Sequence, residues 1–262
     1  MDIFSYNSKA WDQQVQLGSP WSLPVSSEEV SRARKGDFKI ILSPLKPVPT
    51  DWLKQIKGKK VLCLASGGGQ QGPILSAAGA DVTVLDASEE QLKRDEFVAS
   101  RDDLKMQIVR GDMRDLSRFQ DEAFDLIVNP CSNCFIPDVN PVWRECFRVL
   151  KYGGSLICGF NNPITYSFDR ELYEKGLLQL KYAVPYSDLT SLNDEERKSY
   201  TDKNEPLEFG HTTEDQIGGQ IKAGFVIAGF YEDKWGSDHL EDKFFAHFMA
   251  TRALKIDIQD LL

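Results

Sequence analysis

This sequence lacks an excess of basic residues. Its 262 residues include 31 lysines and arginines against 40 aspartates and glutamates, which gives a formal net charge of −9 at pH 7. The sequence has no run of basic residues that would neutralise the phosphates of a nucleic acid. We therefore expect a protein with no nucleic-acid partner.

Long apolar runs are also missing. The sequence has no stretch of about 18 consecutive apolar residues, the length that a membrane-spanning helix needs. Its first residues, MDIFSYNSKAW, lack the basic and then apolar pattern of a signal peptide. We therefore expect no membrane partner and a cytoplasmic location.

Histidine and cysteine are too few to indicate a metal site. Three histidines and five cysteines are present, and Cys131 and Cys134 form the single C-x-x-C pattern. Zinc would need two more ligands at suitable spacing. The odd number of cysteines favours reduced thiols, so we expect no bound metal and no disulfide framework.

The most informative part of the sequence is residues 60–88, KVLCLASGGGQQGPILSAAGADVTVLDAS. This stretch has the pattern of a strand, a glycine turn, a helix and a second strand that ends at Asp86. Gly67, Gly68 and Gly69 remove side chains where the backbone must turn sharply and approach a ligand. A carboxylate at the end of the second strand can accept hydrogen bonds from ribose hydroxyls. The stretch therefore predicts half of a nucleotide-binding fold.

The glycine pattern alone leaves two classes of enzyme open. Gly67, Gly69 and Gly72 fit the pattern G-x-G-x-x-G, and Asp86 lies 19 residues after Gly67. This spacing suits an NAD(P)-dependent oxidoreductase as well as a methyltransferase.

Later segments follow the order of motifs in a known family. Residues 106–113 read as a strand that ends in Gly-Asp-Met, FDLIVN reads as a fourth strand, and VLKYGGSLICGF places a Gly-Gly turn before a fifth. Together with the glycine turn, these motifs resemble the class I S-adenosylmethionine-dependent methyltransferases, and most closely their small-molecule members. The resemblance covers residues 51–160 and resumes at residues 211–253.

The resemblance implies where S-adenosylmethionine would bind. The glycine motif of the family commonly reads h-h-D-h-G-x-G-x-G, where h is hydrophobic. Here it reads VLCLASGGG, so Cys63 replaces the acid and Ala65 the first glycine. Without that acid, a protein that binds the cofactor but is catalytically silent stays an alternative. Asp86 is expected to bind the ribose, while Asp112 contacts adenine and Met113 covers its ring. The predicted cofactor-binding residues are Ala65, Ser66, Gly67, Gly68, Gly69, Asp86, Ala87, Asp112, Met113 and Asn129.

The predicted fold class is α/β, with a Rossmann-like doubly wound sheet that is mostly parallel and has an antiparallel last strand. Residues 1–50 are predicted to form an N-terminal helical lid, and residues 51–262 to form the methyltransferase domain. Within that domain, residues 161–210 are predicted to be an inserted cap. Residues 177–184 in this insertion are a candidate strand.

The methyl acceptor is predicted to be a small molecule that attacks the cofactor's methyl group in an SN2 reaction. Its pocket should lie near the end of the fourth strand, because ligands bind at the carboxyl edge of open α/β sheets. The candidate acceptor residues are Trp11, Trp21, Ser132 and Asn133. His211 is the candidate general base. The sequence leaves the acceptor's identity and the oligomeric state open.

Overall fold

A mostly parallel sheet forms the centre of the computed structural model, which describes residues 2–236 and 239–257. The strands are β1 (Lys60–Leu64), β2 (Asp81–Asp86), β3 (Met106–Arg110), β4 (Phe124–Asn129), β5 (Leu150–Asn161), β6 (Tyr186–Ser187), β7 (Phe209–Gly210), β8 (Val226–Asp233) and β9 (Phe248–Leu254). Seven of them form the main sheet in the order β3-β2-β1-β4-β5-β9-β8, and β6 pairs with β7 separately.

The pairing confirms the predicted fold class. Strands β1 to β5 pair in parallel, whereas β9 is antiparallel to both β5 and β8. The chain starts in the middle of the sheet at β1, builds outward to β3, and then returns to the other side of β1 with β4. Such a reversal of strand order opens a crevice at the carboxyl ends of the strands. Both β1 and β4 are buried along nearly their whole length, as expected for central strands covered on two faces.

Helices cover the sheet and extend in front of it. The α-helices are α1 (Ile3–Gln16), α2 (Ser27–Arg34), α3 (Gln71–Ala77), α4 (Glu89–Asp102), α5 (Asn140–Val149), α6 (Arg170–Glu174), α7 (Asp194–Asp202) and α8 (Gly219–Ala223). A π-helical turn, Glu214–Gly218, precedes α8. Short 3₁₀ helices lie at Pro20–Ser22, Thr50–Leu53, Asn133–Phe135, Pro163–Ser167 and Leu240–Lys243.

The N-terminal helix is fixed to the start of α4. The carboxylate of Asp12 accepts hydrogen bonds from the Ser88 hydroxyl at 2.6 Å and from the Glu90 backbone N–H at 3.0 Å. Ser88 itself caps α4 by accepting from the Gln91 N–H at 3.1 Å. These hydrogen bonds satisfy N–H groups at the start of α4 that have no partner within the helix. They also attach α1 to α4, so the two helices form one unit beside the crevice.

The predicted strand at residues 177–184 is wrong. Leu180 forms only an isolated bridge with Phe168, and the short strand of this region starts later, at Tyr186. Lys181 explains the difference, because its ammonium group forms ion pairs with Asp169 and Glu196. These contacts hold the segment around α6 instead of letting it join a sheet.

Within the described residues, no helix combines the length and the apolar character needed to cross a bilayer.

Candidate active site

A cavity of about 770 Å³ lies at the carboxyl edge of the parallel strands. Its wall includes residues that follow each of the first five strands in the sheet order: Asp112 after β3, Asp86 at the end of β2, Ala65 after β1, Pro130 after β4 and Asn161 at the end of β5. Adjacent strands are about 4.8 Å apart, so these five positions span roughly 19 Å. The volume lies within the range of about 300–1,000 Å³ that is typical of small-molecule sites.

Asp86 ties the glycine turn to the end of β2. One carboxylate oxygen accepts from the Gly67 N–H at 2.9 Å, and the other accepts from the Ser88 N–H at 2.9 Å. A Cβ at position 67 would lie 2.8 Å from the Gln91 Cβ, so only glycine fits. Burial raises the pKa of Asp86, while the hydrogen bonds from Ser88 and Gly67 act against this rise. A carboxylate has about four acceptor positions, which leaves two for a ligand in the cavity.

A second acid, which the sequence analysis did not predict, also binds the glycine turn. Asp95 lies on α4 with no exposed surface, and its Oδ2 accepts from the Gly68 N–H at 3.0 Å and the Gly69 N–H at 3.1 Å. Burial raises the pKa of Asp95 to about 8, although the hydrogen bonds from Gly69 and Gly68 act in the opposite direction. The signal was available, because Gln91, Asp95 and Val98 have the spacing of one buried helix face.

Ala65 occupies a backbone conformation that favours glycine. Its φ angle is +46°, in the left-handed region that costs a residue with a Cβ about 1–2 kcal/mol. The family's glycine at this position therefore has a conformational reason. Cys63, two residues earlier, is fully buried, and burial raises the pKa of its thiol.

The N-terminal segment covers the glycine turn. The Val25 N–H donates to the Gly69 carbonyl at 2.9 Å, and the Gln70 side-chain amide donates to the carbonyls of Pro20 at 3.2 Å and Leu23 at 3.1 Å. A Cβ at position 68 would lie 2.7 Å from the Trp21 carbonyl oxygen. This part of the N-terminal segment is therefore a roof over the crevice.

Asp112 has a basic partner that the sequence pattern did not indicate. The Arg114 guanidinium forms a bidentate contact with the Asp112 carboxylate, with an Nη2–Oδ2 distance of 2.5 Å. The Arg114 N–H also donates to Oδ1 at 2.9 Å. Asp112, Met113 and Arg114 all line the cavity. The arginine fixes the position of the predicted adenine-binding carboxylate at one end of the cavity.

The loop after β4 divides into residues inside the protein and residues facing the cavity. Asn129 is fully buried, and its amide nitrogen donates to the Leu64 carbonyl and the Ser132 hydroxyl, both at 2.9 Å. The amide of Asn133 donates to the Gln216 side chain at 3.2 Å. Ser132 lines the cavity, whereas Asn129 and Asn133 do not. The two asparagines support the loop from behind.

The structure places His211 outside the cavity lining. Its Nε2 is 3.0 Å from the Asn133 carbonyl oxygen, and burial lowers the pKa of its imidazole. A neutral ring with Nε2 donating to this carbonyl fits that environment. The geometry gives His211 a role in supporting the loop after β4.

Most of the predicted site residues meet at the cavity. Those that line it are Trp11, Trp21, Ala65, Ser66, Gly67, Asp86, Ala87, Asp112, Met113 and Ser132. Those outside the lining are Gly68, Gly69, Asn129, Asn133 and His211. The N–H groups of Gly68 and Gly69 donate to Asp95 and not to the cavity.

The chain is similar in sequence and in fold to known methyltransferases. A family described as "Methyltransferase domain" matches residues 62–158. The methyltransferase YbaJ of Bacillus subtilis (strain 168) is 51% identical over 254 residues, which cover 97% of this chain and 99% of that protein. A ubiquinone biosynthesis O-methyltransferase of Bordetella avium (strain 197N) is 27% identical over 117 residues, 43% of this chain and 48% of that protein. The crystal structure of an S-adenosylmethionine-dependent methyltransferase from Mesorhizobium loti has a similar fold, with a TM-score of 0.60 and 19% identity over 78% of this chain and 94% of that one.

Proposed function

Because this chain belongs to the class I S-adenosylmethionine-dependent methyltransferases, we propose that it transfers the methyl group of S-adenosylmethionine to a small molecule bound in the same cavity. The observation that carries this proposal is the continuity of the cavity. One space extends from Asp112 beside β3, past Asp86 and the glycine turn, to Asn161 at the end of β5. Cofactor and acceptor can therefore lie end to end along the sheet edge.

The residues of the crevice fit the adenosyl group. Gln91 lines the cavity beside the glycine turn, and its buried Oε1 has no hydrogen-bond partner among the described residues. An unpaired buried acceptor costs about 1–3 kcal/mol, so a donor on the ligand would relieve it. Asp86 has two acceptor positions left for ribose hydroxyls. Asp112, held by Arg114, offers its carboxylate to the adenine amino group.

S-Adenosylmethionine supplies a methyl group that its sulfonium charge already activates. The protein's contribution is to align the acceptor's nucleophile opposite the sulfur and to exclude water. The roof of residues 20–25 and the helix α1 serve the second purpose, since they close the cavity above the glycine turn. Ala65, Ser66 and Gly67 hold the methionine part near the centre of the sheet, beside the loop after β4.

The walls beyond the glycine turn favour a small acceptor with an apolar body. Trp11 and Phe135 meet edge to face with ring centroids 5.0 Å apart, and Trp21 meets Trp235 at 6.1 Å. All four rings line the cavity. Aromatic rings of this kind pack well against flat or aliphatic ligands. The relative from Bordetella avium is a ubiquinone biosynthesis O-methyltransferase by name, which is in line with such an acceptor.

Calorimetry with S-adenosylhomocysteine tests the cofactor site. Asp86→Ala should weaken binding by about 1.5–3 kcal/mol, the contribution of hydrogen bonds to a charged group. Asp81→Ala is the matched control, because Asp81 is an exposed residue at the opposite end of the same strand. NAD should show no binding. Micromolar NAD binding without S-adenosylhomocysteine binding would refute the proposal, and so would equal losses in the two variants.

A further inference from the structure

Glu208 brings a carboxyl group to the end of the cavity away from Asp112. It directly precedes β7 in the inserted region and lines the cavity. Its backbone is fixed on both sides, because its N–H donates to the Asp188 carboxylate at 2.7 Å and its carbonyl accepts from the Asp188 N–H at 3.1 Å. The carboxyl group is therefore held on a defined scaffold.

The neighbouring residue attaches this scaffold to the N-terminal helix and to the loop after β4. Asn7 on α1 accepts from the Leu207 N–H at 2.8 Å and donates to the Leu207 carbonyl at 3.0 Å. The same amide group donates to the Phe135 carbonyl at 2.8 Å. Glu208 thus lies where the N-terminal helix, the loop after β4 and the insertion converge.

The surroundings of Glu208 raise the pKa of its carboxyl group. Burial raises the pKa of Glu208, while Arg170 and a hydrogen bond from Tyr166 lower it, and Asp188 and Glu205 raise it further. Cys134, from the loop after β4, is a further close titratable neighbour. Arg170 forms its own ion pair with Asp188 at 3.3 Å. Among the described residues, no lysine or arginine lies within ion-pair distance of Glu208.

The polar groups around Glu208 contrast with the rest of the acceptor end. Tyr166 is held in place by the Asn161 side-chain amide, which donates to its hydroxyl at 2.7 Å, and by stacking on Tyr186 at 5.5 Å. The remaining wall near this end is largely aromatic, with Trp11, Phe135 and Trp235. A hydrogen-bonding carboxyl group beside aromatic walls fixes the orientation of a ligand.

We propose that Glu208 is the catalytic carboxylate of the acceptor site, and that it binds an acceptor with an apolar body whose reacting group, an ammonium or a phenol-type hydroxyl, becomes the nucleophile when it loses its proton. This proposal rests on the proposed methyltransferase function. Glu208 accepts a hydrogen bond from the nucleophile and then takes its proton. A carboxylate with a raised proton affinity suits this task better than one at the usual value.

The proposed step is balanced. The N–H or O–H bond of the acceptor breaks, and its proton moves to a carboxylate oxygen of Glu208. The electron pair left on nitrogen or oxygen forms the new bond to the methyl carbon. The bond between this carbon and the sulfonium sulfur breaks, and sulfur keeps the electron pair, which gives S-adenosylhomocysteine. The protonated Glu208 then returns its proton to solvent.

The proposal defines the acceptor by its reacting group and its apolar body. The test therefore uses small probes that carry these features. Binding of phenethylammonium, 4-ethylphenol and 3-phenylpropionate to the S-adenosylhomocysteine-loaded protein is measured by calorimetry at pH 8. These probes share a phenyl body and differ in the group that faces Glu208. The two donors should bind at least tenfold more tightly than the carboxylate probe. Glu208→Gln should remove most of the preference for the ammonium, whereas Glu205→Gln, which changes a carboxylate outside the cavity lining, should retain it.

Two further measurements test the role of Glu208 if the variant does not fold and separate it from the cofactor site. If Glu208→Gln fails to fold, the wild-type preference for phenethylammonium should fall several-fold as the pH is lowered from 8, because protonation removes the negative charge of Glu208, whose pKa burial raises. Affinity for S-adenosylhomocysteine should stay within about twofold in both variants, and its absence in the wild type would instead refute the cofactor site. Equal binding of donor and carboxylate probes, or a preference that survives in Glu208→Gln, would overturn the role of Glu208.

Discussion

Asp95 has two effects on the stability of the protein, and replacing it in two ways separates them. Asp95→Ala removes the acceptor of the Gly69 N–H, whereas the Gly68 N–H keeps a second acceptor, the Gln91 carbonyl at 3.0 Å. One buried N–H is then left unpaired, and a small cavity forms. The expected cost is about 2–4 kcal/mol of unfolding free energy. Asp95→Asn keeps an acceptor oxygen at nearly the same place, so it should retain most of this stability.

The second effect of Asp95 is a dependence of stability on pH. Burial raises the pKa of Asp95 from its usual value near 3.8 to about 8 in the folded protein. Between these values the folded protein keeps a proton that the unfolded chain releases. Asp95 therefore contributes most stability below about pH 4, and this contribution falls by up to about 1.4 kcal/mol per pH unit until about pH 8. Asp95→Asn has no proton to exchange, so its stability relative to wild type should rise through the same window.

The assay is urea unfolding followed by tryptophan fluorescence at about pH 5, 6, 7 and 8, with the free energy extrapolated to water. Glu96→Gln is the matched control, since Glu96 is an exposed carboxylate on the same helix. Its difference from wild type should stay nearly constant over this range. The reasoning about Asp95 is refuted if Asp95→Asn and wild type lose stability in parallel as the pH rises.

Three further predictions concern the site. Asp112→Ala should weaken S-adenosylhomocysteine binding about tenfold or more in calorimetry but leave methionine binding unchanged; equal losses would contradict the adenine assignment. Removal of residues 1–36 should abolish methyl transfer in a radiolabel assay and weaken cofactor binding, because the donor to the Gly69 carbonyl is lost; normal transfer would show that the segment is no lid. His211→Gln should lower the melting temperature and leave the pH profile of transfer unchanged, since His211 contacts the Asn133 carbonyl outside the cavity.

The sheet was predictable because its signals are local. Each central strand is a short, largely apolar run with a glycine or polar residue at or near its end, and β1 begins at the predicted position, Lys60. The same local reasoning predicted a strand at residues 177–184, where it was wrong. The backbone N–H groups of Lys181 and Tyr182 donate to the Ser167 carbonyl instead of to a neighbouring strand. Contacts between residues more than ten positions apart decide this region, and a pattern read within a short window does not contain them.

The candidate site also contains residues that local sequence patterns predicted and residues that they did not. Asp86 was predicted from its spacing after the glycine turn, because both lie in one βαβ unit whose geometry the chain length fixes. Glu208 was missed because its place in the cavity depends on β6 and β7, strands of two residues each that pair across the insertion. Asn129 and Asn133 were expected to face the ligand because they lie at the end of β4 and in the loop after it. The sequence does not indicate which side of a loop each side chain takes, and the structure uses both asparagines for internal hydrogen bonds.

The missing acid of the glycine motif has a physical explanation in α4. Cys63 and Asp95 are close enough that the Asp95 charge adds to the effect of burial in raising the pKa of the Cys63 thiol. A carboxyl group at position 63 would share this buried space with Asp95, and two carboxylates so placed disfavour each other's ionisation. A neutral thiol avoids that repulsion and leaves Asp95 free to accept from Gly68 and Gly69. The carboxyl group that binds the glycine turn from inside the protein therefore comes from α4 and not from β1.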